Sequence, residues 1–166
     1  MSESLAEAAA VADALAQEGK ERELATLRQQ WDDELEGAVR NPDYRTRAVG
    51  YRAIGQFRFR QKVELLRRGL EDESPACRGS ALLSLELLSR EHPGVVNPMR
   101  ALLHNVLTTD ANNAVRRLAI VTLKNGSPQR DTITLLGGVA QDDEQDKELR
   151  AAARAVAAAL TKKSRA

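Results

Sequence analysis

The chain has 166 residues, of which 42% are hydrophobic, 30% charged and only 3% aromatic, with a net charge of +1. That size and balance suit one soluble domain with an ordinary core, and the Ala- and Leu-rich palette excludes a β-rich core, which draws on aromatic and β-branched residues. No apolar run approaches the roughly 18–20 residues that cross a bilayer; the single cysteine, Cys77, excludes an intramolecular disulfide and a Cys-rich zinc site, and with an acidic N-terminus lacking a basic n-region it predicts a cytoplasmic protein.

Charge is segregated along the chain. Residues 1–39 hold ten acids and three bases, a net of −7, whereas residues 40–68 hold nine bases and two acids, a net of +7. Such asymmetry carries more information than the near-zero total.

Two helices are predicted first. Residues 4–17 are Ala-rich, with Leu5, Ala8, Ala9, Ala12 and Leu15 on one stripe. Residues 20–39 place Leu24, Leu27, Trp31, Leu35 and Val39 at three- and four-residue steps, the period of an amphipathic helix. Gly19 separates the two.

A degenerate repeat follows. Four arginines, Arg47, Arg78, Arg116 and Arg150, are each followed by a small residue three positions on (Gly50, Ala81, Ala119, Ala153) and an apolar residue at the seventh (Ile54, Leu85, Leu123, Ala157). Their spacings of 31, 38 and 34 residues bracket one insertion around His92-Pro93-Gly94. In the first unit a register on Arg45 and Ala48 fits as well. Asn41-Pro42, Ser74-Pro75, Asn97-Pro98 and Ser127-Pro128 each pair an N-cap residue with a proline suited to a first helical turn. The pattern predicts first helices over 43–54, 75–89, 113–124 and 146–161, and second helices over 58–70, 98–108 and 128–141. Leu82, Leu85, Leu103, Val106, Ile120, Leu123, Leu136 and Val139 fill the seams between them. The chain thereby divides into an N-terminal helical extension or cap (1–40), a repeat array (41–161) and a basic C-terminal tail (162–166).

An apolar-Arg pair, Ala three on, then Leu, with second helices ending in acidic turns (Glu71-Asp72-Glu73, Asp142-Asp143-Glu144), resembles the HEAT repeat over residues 41–161. The resemblance implies an all-α fold: an α-solenoid of about four HEAT-like helical repeats with extra N-terminal helices. It also implies a scaffold that binds a protein on a concave surface lined by second helices, with Arg78, Arg116 and Arg150 pairing with acids of adjacent turns. Helices outside the repeats cap the end of such an array; pairing with a second copy is the alternative.

Catalytic motifs are missing from the sequence: it has no G-x-S-x-G, H-E-x-x-H or P-loop, and only two histidines, His92 and His104. The expectation is a non-enzyme without cofactor or metal. Cys77, on a first helical turn, reads as a small core-edge residue, and Gly137-Gly138 as a close helix contact or a local helix weakness. The basic block is the sharpest feature. Arg58, Arg60, Lys62, Arg67 and Arg68 fall on or beside one second helix, and Arg100 and Arg130 on two others. Together they are the candidate binding residues for an acidic protein surface or, in the alternative reading, a nucleic-acid backbone. Equally open is a neutralised block, with Glu64 pairing to Arg60 and Arg68 and the acidic N-terminal helices covering the rest.

Overall fold

The structure, a computed structural model, describes residues 3–166, and among these it is all-helical without a strand. The chain forms two compact units, Met1–Leu88 and Ser89–Ala166. The first holds α1 (Leu5–Gln17), α2 (Glu21–Val39), α3 (Tyr44–Gln56), α4 (Val63–Leu70) and α5 (Pro75–Ser89, whose last residue opens the second unit). The second holds α6 (Arg100–Thr109), α7 (Asn113–Leu123), α8 (Arg130–Gln141) and α9 (Lys147–Ser164).

First helices begin and end close to where the periodicity places them, because their caps are local. Asp43 accepts from the Arg45 amide, Asn112 from the Val115 amide and Asp146 from the Glu148 and Leu149 amides. Second helices start later than expected. A 3-10 turn over Arg60–Lys62 precedes α4, and another over Asn97–Met99 precedes α6. Of the four cap-and-proline pairs, only Ser74-Pro75 opens an α-helix directly. Asn41 instead accepts from the Asp43 amide at 2.8 Å, moving the cap two residues on, and Ser127-Pro128 lies in the loop before Gln129, the N-cap of α8.

In the first unit, α1 packs on α2 and α3, and α2 on α3. Leu24, Leu35, Ile54, Phe57, Leu66, Leu82 and Leu85 are fully buried, and Trp31 is buried. The helical extension therefore belongs to the same compact unit as the first repeat. Two helix ends there share one geometry. After α1, Gly19 at φ 73° sends its amide to Ala16, and the Lys20 amide reaches back to Leu15 at 2.9 Å. After α3, Arg58 at φ 57° does the same with Gly55, and the Phe59 amide reaches Ile54 at 2.9 Å. Both are Schellman caps, whose left-handed position favours glycine. Arg58 takes it because its guanidinium bonds the Gly55 and Gln56 carbonyls and the carboxylate of Asp13 on α1, each within 3.1 Å.

Helices α3 and α5 approach closely at Gly55. A Cβ at Gly55 would meet the Ser84 Cα at 2.6 Å. The fully buried Ser84 hydroxyl accepts from the Gly55 amide at 2.9 Å and donates to the Tyr51 carbonyl, groups four residues apart on α3. Gly69 gives similar room to Tyr51 and Ala81.

In the second unit α6 packs on α7, and α9 on both α7 and α8. Leu103, Leu107, Ala119, Ile120, Leu123, Leu136, Ala153 and Leu160 are fully buried. The stretch expected as a basic tail is helical through Ser164, and Lys163 donates to the carbonyls of Lys124 and Gly126 at 2.9 Å, closing the C-terminal end of α7. At Gly137 and Gly138 an added Cβ meets nothing within 4 Å, so close packing does not account for the pair.

Gly55→Ala should lower the unfolding free energy by about 1–3 kcal/mol, since backbone rather than a flexible side chain must yield. Gly137→Ala and Gly138→Ala should each raise it by about 0.5–1 kcal/mol, the difference in helix propensity. Urea denaturation followed by circular dichroism measures both.

Candidate functional site

The repeat arginines come first, because they decide which basic residues remain for other work. Arg47 holds Asp72 with both prongs of its guanidinium, Nε to Oδ2 at 3.0 Å and Nη2 to Oδ1 at 3.1 Å, and its Nη1 donates to the Asn41 and Pro42 carbonyls. Arg78 donates to the Asp72 and Glu73 carbonyls at 2.9 and 3.1 Å. Arg116 donates to the Leu107 carbonyl at 2.7 Å and to Gln145 at 3.0 Å. Arg150 reaches Ala140 and Asp143 at longer distances, 3.5 and 3.4 Å. Each ties its helix to the turn before it, and Arg47 and Arg116 also reach the turn after. The first unit is therefore in register on Arg47, while Arg45 lies exposed over the Tyr44 ring. For Asp72, burial favours protonation, but the Arg47 and Ser74 hydrogen bonds outweigh it and hold the carboxyl below its usual range.

The basic block is mostly spent inside the chain. Lys62, 9% exposed, donates to Asp32 at 2.6 Å and Glu36 at 2.7 Å on α2, with its ammonium 4.9 Å from the centre of the Phe59 ring. Burial disfavours its charge, yet the two carboxylates outweigh that and raise its pKa. Arg58 is taken up by Asp13. Glu64 pairs with Arg67 at 3.2 Å rather than with Arg60 or Arg68. Arg60 and Arg68 are exposed and hold no ion pair among the described residues. The −7 and +7 segments announce this neutralisation as a pair of segments; the acids that carry it, Asp13, Asp32 and Glu36, have no distinguishing local motif.

In the second unit Arg130 is exposed, whereas Arg100 is half-buried. The Arg100 guanidinium donates to Thr132 Oγ1 at 3.1 Å and to Asn97 Oδ1 at 2.5 Å. The same Thr132 hydroxyl lies 2.8 Å from His104 Nε2. Burial, seconded by the Arg100 charge, pushes the His104 pKa below its usual 6.5, against the opposing pull of Asp131. Burial alone lowers the pKa of Arg100. Thr132 carries no sequence signal that marks it, and Asn97 is marked only as a candidate N-cap.

Cys77 is fully buried and donates to the Tyr44 carbonyl at 3.3 Å. Burial raises its thiol pKa, the opposite of an activated nucleophile at a helix start. Among the described residues, no group of three or more His, Cys, Asp or Glu side chains is placed to hold a metal ion, and no helix is long and apolar enough to cross a membrane.

With this geometry established, comparison with known families is specific. Residues 35–106 match the family of HEAT repeats, spanning α3, α4, α5 and α6 with the end of α2. That stretch is similar to HEAT repeats, and the all-helical build of the described residues is consistent with a HEAT-type α-solenoid. No curated protein and no solved structure matches the chain.

Lys62→Ala should cost about 1–2 kcal/mol, because Asp32 and Glu36 are left facing each other without their shared cation. Urea titration of the variant reads this, and an unchanged midpoint would contradict it. For His104 the sign follows from a depressed folded-state pKa: the neutral ring is favoured by folding. As pH falls below about 6.5 the unfolded chain binds the proton first and stability is lost. His104→Gln should remove that part of the slope in urea midpoints taken between about pH 7.5 and 5.

Proposed function

We propose that the chain is a non-catalytic scaffold that binds a protein partner with an acidic surface, using Arg60 on the 3-10 turn before α4 and Arg68 on α4. The observation that supports this is the unspent charge of these two arginines. In the block around them, Arg58 and Lys62 bond acids of α1 and α2, and Arg67 bonds Glu64 of its own helix. HEAT repeats are often protein-interaction scaffolds, and Arg130 adds an exposed cation on a second helix of the other unit. A duplex-binding surface calls for a strongly basic stripe; with Arg58 and Lys62 internally paired, the remaining positive charge is too sparse to favour that reading. The single buried thiol fits a reducing, cytoplasmic setting.

The test is capture of the tagged full chain from its source cells, with and without nuclease, in parallel with Arg60→Glu/Arg68→Glu. A stoichiometric protein that survives nuclease and is lost in the double variant is expected. Recovery of nucleic acid alone, or equal capture by the variant, overturns the assignment. Both side chains are exposed, so helical circular dichroism should be unchanged.

A further inference from the structure

Resting on the scaffold reading, we infer that Arg100 is a receptor for a carboxylate side chain of the protein partner, in a site formed with Asn97, Thr132 and His104. A guanidinium has five donors in a planar fork. Arg100 spends Nη1 on the Thr132 hydroxyl and Nη2 on the Asn97 amide oxygen, both neutral, and its Nε bonds nothing among the described residues. Arg47, Arg58 and Arg150 each hold a carboxylate. Arg116 also lacks one, but the Leu107 carbonyl takes its Nε. Among the described residues Arg100 is therefore a half-buried cation without a counter-charge and with an unused edge.

A desolvated charge is costly until an anion meets it, and a guanidinium edge matches a carboxylate in a two-bond plane. One fork with a neutral imidazole beside it suits the single charge of a carboxylate; a phosphate dianion calls for more donors. Thr132 and Asn97 hold the fork in place, so an incoming carboxylate finds it already oriented. His104 lies one helical turn beyond Arg100 on α6 and shares Thr132 with it. Its ring feels the Arg100 charge and, with opposite sign, that of Asp131. An anion docked on Arg100 cancels the first influence, which makes His104 an internal reporter.

The experiment is a titration of the full isotope-labelled chain with a tetraglutamate peptide, followed by NMR at Arg100 Nε and His104, with sodium chloride at matched ionic strength as the blank. The peptide should shift the Arg100 Nε resonance and raise the His104 pKa by about half a unit to one unit. Arg100→Gln should abolish both effects on His104, and Arg100→Lys, which keeps the charge but not the fork, should weaken peptide binding about tenfold. No shift with peptide, a His104 response that persists in Arg100→Gln, or a response to inorganic phosphate but not to peptide each overturns the site. Should Arg100→Gln fail to fold, Arg100→Lys and the wild-type titration decide alone. A silent titration alongside partner capture lost in Arg60→Glu/Arg68→Glu sinks this site and leaves the scaffold reading standing.

Discussion

The first unit is organised around a missing side chain. At Gly55 the backbones of α3 and α5 come closer than any Cβ allows, and the Ser84 hydroxyl occupies the gap between the Tyr51 carbonyl and the Gly55 amide. That contact fixes how α3 and α5 meet, and Ile54, Phe57, Leu82 and Leu85 are fully buried near it in sequence. Helix pairs of this kind cannot close a core alone, so the quality of each pair-to-pair contact decides whether the stack is well ordered. The arginine clamps act on the turns rather than on the core. Arg47 and its bidentate hold on Asp72 join the start of one repeat to the turn that precedes the next.

Much of the fold was legible because helix period and local capping are sequence-near properties. The Leu24–Trp31–Leu35 stripe, the small residue three beyond each repeat arginine, and the caps at Asp146 and Asn112 all report on neighbours within one or two turns. What failed to be legible was decided by competition. Asn41-Pro42 and Asp43 both offer an N-cap, and the asparagine is used to cap the turn that presents the aspartate. Asn97-Pro98 lies in a 3-10 turn, and the α-helix starts only at Arg100. The choice between Arg45 and Arg47 needed a partner 25 residues away, Asp72, to settle it.

The basic residues teach the same lesson for function. A run of arginines and lysines reads as a surface until its counter-charges are located. Lys62 is buried and doubly paired, Arg58 stabilises a helix end, and only Arg60 and Arg68 keep their charge for solvent in that block. Arg100 is the reverse case: it resembles the others in sequence, yet its partners are neutral. Thr132, which brings Arg100 and His104 together, looks in sequence like any threonine on an amphipathic helix.

The pairing of Lys62 with Asp32 and Glu36 bridges 30 and 26 residues of chain. Opposite charge on adjacent segments attracts before either has packed, over distances where apolar contacts exert no pull. The −7 and +7 segments within the first unit therefore act as a guide to assembly, drawing α2 toward the start of α4 while the core is still open. The same guide weakens as dissolved salt screens it. Ionic strength thus sets how readily the N-terminal helices find their place, even though the finished core, closed by Leu24, Trp31 and Leu35, is indifferent to it.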